Sequence, residues 1–297
     1  MAEKFQQQGH STAKFALSAF GDEISTDLDV QLKVLRELGI GHLELRSVWN
    51  TNVLKLDDTQ VSALKYACDI NSVRISCIGS PIGKSPIGDP IEQELLNLDR
   101  ALQVAKVLDT NTIRIFSFYS PENSGGGQQE SYLDEAIARL SQMAMIAERE
   151  DILLLLENEG DLVGDTPERC HAILKAINSP NLRFVWDTAN FIPVGVAQPT
   201  ERGWPLLSPY IASVQIKDAL LKDGSICPPG KGDGQVELLL IKLLQFGYRG
   251  FLALEPHLAF AGRTSGFSGP EGMKIAASAL RELMANVGCV EQPNTAQ

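Results

Sequence analysis

Short apolar runs alternate with amphipathic segments along most of the chain. The clearest run is ILLLLENEG at residues 152–160, in which consecutive apolar residues lead directly into Glu157. A short run without a polar face is typical of a strand that is buried on both faces of a parallel sheet. Because the strand-to-helix loops open at the carboxyl ends of such strands, α/β folds place their reactive groups there. We therefore expect chemistry at and just after Glu157.

Eight such runs predict strands, at residues 14–20, 41–46, 73–78, 111–116, 152–157, 182–187, 208–216 and 250–255. Apolar residues at helical spacing predict helices between them, at residues 27–38, 57–69, 92–108, 130–150, 236–246 and 271–284. A further helix is expected to begin at Thr166 and Pro167, a capping residue followed by proline at the first helical position. The least regular helical segment lies within residues 198–208, where Pro199 and Pro205 interrupt the pattern.

Strands that alternate with helices indicate parallel βα units, and eight units in about 270 residues predict a single closed (β/α)8 TIM barrel. No G-x-G-x-x-G follows the first strand, which argues against an open nucleotide-binding sheet. We assign residues 14–287 to the barrel as the catalytic domain, residues 1–13 to a polar N-terminal arm and residues 288–297 to a C-terminal tail.

Composition narrows the classes of partner. The chain carries a net charge of −11, which argues against binding nucleic acid through its phosphates. No apolar run approaches the ~20 residues that span a bilayer, so we expect no membrane segment. The five cysteines are scattered and never spaced as C-x-x-C. This pattern indicates reduced thiols in a cytoplasmic protein and argues against a disulfide framework or a thiolate zinc site.

Four oxygen-bearing side chains end successive predicted strands: Glu157, Asp187, Gln215 and Glu255. Neighbouring strand ends converge at the mouth of a barrel, so these side chains are expected to meet one divalent cation. An oxygen-only set favours Mn²⁺ or Mg²⁺, and the sequence leaves Zn²⁺ and Co²⁺ open. The alternative is that each carboxylate caps a helix or pairs with a surface cation. Three carboxylates converging without a cation would, however, repel one another.

The segments LENEG, WDTANF, VQIKDA, GKGDG and GYRGFLALEPH, in this order, resemble the xylose isomerase-like superfamily. The resemblance covers roughly residues 15–285 and is strongest to sugar phosphate isomerases and epimerases, including the ketose 3-epimerases. It implies a TIM barrel with one divalent metal at Glu157, Asp187, position 215 and Glu255. It also implies that Glu157 and Glu255 act as the acid/base pair on opposite faces of a small carbohydrate substrate. Members are often homo-oligomers, and no feature of this sequence decides the oligomeric state.

The chain departs from this pattern at three places. Gln215 stands where the family usually has His, as in a VHIKD-like motif, and it can ligate only through its carbonyl oxygen. Asn190 stands where the ketose 3-epimerases have a substrate-contacting His. Asn158 or Glu159 stands where related proteins often show His. These differences leave the substrate open, and loss of metal catalysis at Gln215 is an alternative.

The expected chemistry is proton transfer beside a sugar carbonyl, through an enediolate that a metal stabilises. Lys217 is expected to stabilise oxyanion charge or to orient a glutamate, with a surface ion pair as the alternative. The remaining candidates are expected to contact substrate, and a structural ion pair or loop contact is the alternative for each; they are Glu44, Arg46, Lys84, Asn190 and His257.

Three other functions are alternatives to a sugar isomerase or epimerase. A lyase, such as a dehydratase of a keto-inositol or dehydroshikimate type, would use the same groups and then expel a hydroxyl. An apurinic endonuclease needs a trinuclear site rich in histidine, whereas this chain has four histidines and a charge of −11. The non-enzymatic alternative is a carbohydrate-binding barrel that has lost turnover, for which Gln215 is the main argument.

Overall fold

The computed structural model describes residues 13–120, 129–258 and 268–292. Within these residues, eight parallel strands, β1 to β8, form a barrel; they span Lys14–Phe20, His42–Leu45, Arg74–Ile78, Thr112–Ile115, Leu153–Glu157, Leu182–Asp187, Ile211–Ile216 and Phe251–Leu254. Each strand pairs with the next one along the chain, and β1 pairs with β8 in the register Leu17 to Leu252. The sheet is therefore closed, and the predicted TIM barrel is confirmed.

Eight α-helices, α1 to α8, follow the strands in the described part of the chain; they span Leu28–Glu37, Asp58–Ile70, Glu92–Val107, Leu133–Arg149, Pro167–Ile177, Pro199–Leu207, Val236–Phe246 and Gly269–Val287. Side-chain caps fix several of their starts. Asp57 and Gln60 form a capping box at α2, and the Thr166 side chain accepts a hydrogen bond from Arg169 N at α5. None of the described helices is long and apolar enough to cross a membrane.

Helix α6 includes both prolines that interrupt its sequence pattern. Pro199 occupies the first turn, where its missing N–H costs no helical hydrogen bond, and Pro205 lies within the helix. Gly203 faces Trp186 so closely that an added Cβ would lie 2.7 Å from the indole ring. Close packing of this face on β6 therefore holds a helix that its local sequence does not favour.

The core has two layers. Outward-facing strand residues such as Leu43, Leu156 and Trp186 are buried beneath the helices in the main hydrophobic cluster. Inside the barrel, Cys77 and Leu155 belong to a separate small cluster. All five cysteines are free thiols, in agreement with the sequence analysis.

The described part of the chain continues past residue 287, the predicted end of the barrel domain. Val290–Glu291 adds a short strand that pairs with β1, in the register Lys14 to Val290. The Arg281 guanidinium holds it in place through two hydrogen bonds of 2.8 Å to the Glu291 carboxylate. Apart from Ala13, the predicted N-terminal arm lies outside the described residues, as do residues 293–297 of the predicted tail.

Candidate active site

The four predicted ligands lie at the carboxyl ends of neighbouring strands. Glu157 ends β5, Asp187 ends β6, Gln215 lies in β7 and Glu255 directly follows β8. Asp187 is paired in register with Gln215, so their side chains share a face of the sheet. One carboxylate oxygen from each of Glu157, Asp187 and Glu255 lies within 4.8 Å of the others, and all three residues are buried. The structure therefore brings the three predicted carboxylates together and places the amide beside them.

Several polar atoms in this cluster are buried and have no hydrogen bond of good geometry to any described residue. They are Asp187 Oδ2, Glu255 Oε2 and both side-chain polar atoms of Gln215. Buried polar atoms in folded proteins normally have hydrogen-bond partners, and carboxylate oxygens in this condition are what a cation satisfies. The donor set therefore fits a hard divalent ion.

Lys217 lies inside the same cluster. Its Nζ is 2.9 Å from Asp187 Oδ2 and 3.5 Å from Glu255 Oε2, and the side chain is almost completely buried. Thr188 fixes the backbone at this point: its Oγ1 accepts from Lys217 N at 3.1 Å and its hydroxyl donates to the Lys217 carbonyl. Lys217 is thus an internal cation of the cluster and does not form the surface ion pair that was the alternative.

Glu157 is held through both of its oxygens. The Arg114 guanidinium, from β4, donates to Oε2 at 3.1 Å, and the Asn190 amide donates to Oε1 at 3.2 Å. The Asn190 amide also donates to the Asn158 carbonyl at 2.9 Å. Asn190 therefore orients a predicted catalytic carboxylate from the position where the ketose 3-epimerases have a histidine.

Glu255 has a second set of partners. Arg46 donates to Glu255 Oε1, to Asp22 Oδ2 at 2.7 Å and to Glu23 Oε1 at 3.0 Å, and its guanidinium lies 4.8 Å from the centre of the Phe20 ring. Asp22 and Glu23 follow β1 after Gly21, but no motif in the sequence singled them out. Their only signal was the one used for the other carboxylates, a position just after a strand.

His257 reaches the same group of side chains. Its Nδ1 lies 2.7 Å from Glu23 Oε1 and its Nε2 lies 3.5 Å from Glu255 Oε1. Glu23 Oε2 accepts hydrogen bonds from His257 N at 3.1 Å and from the Ser268 hydroxyl at 2.8 Å. Glu23 therefore joins the end of β1 to the chain that follows β8, and it fixes the imidazole beside Glu255.

Two predicted substrate contacts, Lys84 and Glu44, form no ion pair with the four ligands. Lys84 forms an ion pair of 2.7 Å with Glu159, and both side chains are partly exposed. Glu44 is buried inside the barrel, where it lines a cavity of about 40 Å³ together with Ser76 and Cys77. Arg46 pairs with Asp22, Glu23 and Glu255 and not with the neighbouring strand residue Glu44.

Comparison with known proteins places this geometry in a family. The profile of the xylose isomerase-like TIM barrel matches residues 32–283, which is most of the chain. The chain belongs to that family. No curated protein matches the chain in sequence.

Several solved structures share the fold of this chain. A D-tagatose 3-epimerase-like protein superposes with a TM-score of 0.71 at 22% identity, over 93% of this chain and 98% of that chain. A xylose isomerase-like TIM barrel protein from Mycobacterium smegmatis in complex with magnesium gives 0.64 at 18% identity, over 93% and 98%. The probable 3-DHS dehydratase AsbF from Bacillus anthracis gives 0.68 at 17% identity, over 91% and 98%.

The carboxyl groups of Glu157 and Glu255 differ in pKa. Burial raises the pKa of Glu157 to about 7, although the Arg114 guanidinium opposes that shift. Burial also acts to raise the pKa of Glu255, but the charges of Lys217, His257 and Arg46 outweigh it and hold that pKa well below its ordinary value. One carboxyl therefore titrates near neutral pH while the other stays ionised.

Proposed function

We propose that the protein is a divalent-metal-dependent isomerase or epimerase of a sugar or sugar phosphate. The observation that carries the proposal is the convergence of the Glu157, Asp187 and Glu255 carboxylates at the barrel mouth, with Gln215 beside them. Membership of the xylose isomerase-like family supports it, as does the fold shared with a D-tagatose 3-epimerase-like protein.

The proposed ligands are Glu157, Asp187, Gln215 and Glu255. Their buried oxygen donors and the absence of sulfur or imidazole among the four favour Mg²⁺ or Mn²⁺. A related fold has been solved in complex with magnesium. When bound, such an ion supplies a Lewis acid that stabilises negative charge on a sugar oxygen.

The proton transfers fall to Glu157 and Glu255. Glu157 ends β5 and Glu255 follows β8, three strands apart in an eight-stranded barrel. In the proposal their carboxylates face a bound sugar from different sides. In the proposal one removes the proton beside the carbonyl, and the other returns a proton on the opposite face or to the neighbouring carbon. Arg114 and Asn190 orient Glu157, and Arg46 and Lys217 contact Glu255.

Substrate recognition is assigned to the partly exposed polar groups around these carboxylates. Arg46, Lys84 and His257 retain side-chain exposures of 22%, 33% and 26%. Their donors suit sugar hydroxyls, or the phosphate of a sugar phosphate. Asn190 lies close enough to Glu157 to contact the same substrate.

The test measures metal content and then deuterium wash-in. The protein is incubated in D₂O with a panel of ketoses, inososes and their phosphates, with and without Mn²⁺, and carbon-bound deuterium is detected by NMR. We expect exchange at a carbon beside the carbonyl, lost in Glu157→Gln and Glu255→Gln and kept in Glu150→Gln, an exposed control.

The identity of the product distinguishes an isomerase or epimerase from a lyase and from a carbohydrate-binding barrel. A product that has lost one water would move the assignment to a lyase on the same carboxylates. Binding of a sugar without exchange would indicate a carbohydrate-binding barrel. Exchange that persists in both glutamine variants would contradict the assignment of the two glutamates.

A further inference from the structure

The Lys217 ammonium contacts the oxygens that a metal would need. Its two contacts are to Asp187 Oδ2 and Glu255 Oε2, at 2.9 and 3.5 Å. Neither oxygen has a hydrogen bond of good geometry to another group in the described part of the chain, whereas the opposite oxygens of the two carboxylates are occupied. The ammonium and a divalent ion would therefore compete for the same pair of atoms.

The backbone of Lys217 is fixed by hydrogen bonds, whereas, among the described residues, its ammonium is held only by the two carboxylate contacts. Thr188 Oγ1 bonds both the N–H and the carbonyl of Lys217. The next carboxylate, Asp218, accepts hydrogen bonds of 2.9 to 3.0 Å from the amides of Gly230, Gly232 and Gly234. A lysine carries its charge on a flexible four-carbon stem, so the ammonium can swing away while these backbone contacts stay intact.

We propose that Lys217 is an exchangeable counter-ion of the metal site. Its ammonium neutralises Asp187 and Glu255 in the metal-free protein and leaves both oxygens when a divalent ion binds. The inference rests on the proposed function only in that an ion binds at these carboxylates.

The exchange has a measurable consequence for affinity. Three buried carboxylates repel one another, so the metal-free cluster needs a positive charge. A divalent ion must displace that charge before it can bind. The displacement lowers the observed affinity of the site for the ion. Removing the ammonium is therefore expected to tighten Mn²⁺ binding by about tenfold or more, because charges a few ångströms apart interact strongly at low dielectric.

The first measurement is Mn²⁺ binding by titration calorimetry to the chelator-treated wild type, Lys217→Gln and Lys84→Gln. Lys84 is the matched control, since it is a cation near the site whose partner is Glu159 and not a proposed ligand. We expect tighter binding in Lys217→Gln and little change in Lys84→Gln. Equal or weaker binding in Lys217→Gln would overturn the proposal.

The second measurement follows the Lys217 ammonium of the wild-type protein directly, by NMR. The side chains of the wild type are ¹⁵N-labelled at lysine, and the Lys217 ammonium signal, assigned by its absence from Lys217→Gln or Lys217→Arg, is followed as Mg²⁺ is added. We expect the signal to shift or disappear in step with Mg²⁺ binding. An unchanged signal at saturating Mg²⁺ would show that the ammonium does not leave, and would overturn the proposal.

The outcomes distinguish this inference from the proposed function. Binding of Mn²⁺ to Lys217→Gln but not to the wild type would show that the ammonium blocks the site and does not exchange, which would refute the proposal and remove metal dependence from the proposed function. Binding to both with equal affinity would keep the metal site and refute the counter-ion. Binding to neither would refute both.

Discussion

The Arg114 guanidinium donates to Glu157 Oε2 at 3.1 Å, and both side chains are almost completely buried. The same guanidinium also donates to the carbonyls of Gly79 and Ser80, at 3.1 and 3.3 Å. Arg114 therefore cannot turn away from Glu157 without losing its backbone partners. Burial raises the pKa of Glu157 to about 7 even with this cation beside it, so Arg114 governs how far Glu157 ionises near neutral pH.

Arg114→Gln is expected to lower the free energy of unfolding by about 3–5 kcal/mol, because it leaves a buried carboxylate without its cation. The measurement is urea denaturation at pH 8, where Glu157 is mostly ionised in the wild type. Arg149→Gln is the control, since Arg149 and its partner Glu150 are 71% and 47% exposed. Its expected cost is about 0–1 kcal/mol. Equal losses in the two variants would contradict the role of Arg114.

We expect the free energy of unfolding to depend on pH through the buried Glu44 carboxyl. Burial raises the pKa of its carboxyl from 4.5 to about 8. Below pH 4.5 the carboxyl is neutral in both the folded and the unfolded chain. Between the two pKa values the unfolded chain ionises first, so stability falls as pH rises, by at most about 1.4 kcal/mol per pH unit.

Glu44→Gln removes this dependence while keeping the size of the side chain. We expect the variant to gain stability relative to the wild type from pH 5 to pH 8 in urea denaturation. A stability difference that does not change with pH would show that Glu44 titrates normally in the folded protein.

Gln215 is expected to set the metal preference. Gln215→His replaces an amide oxygen by an imidazole nitrogen, a donor that Zn²⁺ and Co²⁺ prefer. We expect the ratio of Zn²⁺ to Mg²⁺ affinity to rise by about tenfold or more. Competition titrations against a metal-sensitive dye measure this ratio. A ratio equal to that of the wild type would place residue 215 outside the metal's ligands.

The Thr188 hydroxyl is expected to stabilise the mouth of the barrel. Thr188→Val keeps the shape but leaves the Lys217 N–H buried without its partner, at a cost of about 1–3 kcal/mol. Thermal denaturation with and without Mn²⁺ measures this loss. No loss of stability would show that another group takes over the hydrogen bond.

The strands and most helices could be predicted because each carries a local signal. The apolar run at residues 152–157 became β5 at Leu153–Glu157, and Thr166 caps α5 as expected. The convergence of Glu157, Asp187 and Glu255 followed from the geometry of parallel strands, whose carboxyl ends meet at one mouth.

The remaining features depend on contacts that are distant in sequence. Glu23 meets His257 only because β1 closes against β8, and nothing near Glu23 in the chain indicates this. The expected substrate contact of Glu44 remains a prediction, although the side chain is buried inside the barrel. That inward orientation depends on the register of β2 with β3 around a bulge, which local sequence does not encode.

The central claim is that these carboxylates hold a metal, and one titration tests it directly. Asp187→Asn removes the charge at Oδ2 while an amide oxygen can still accept from Ala189 N and Asn190 N, as Asp187 Oδ1 does. Chelator-treated wild type is expected to bind one Mn²⁺ per chain in a calorimetric titration. Asp187→Asn should lose that binding, and Asp29→Asn, an exposed control, should keep it. No binding to the wild type, or equal binding to Asp187→Asn, would contradict the claim.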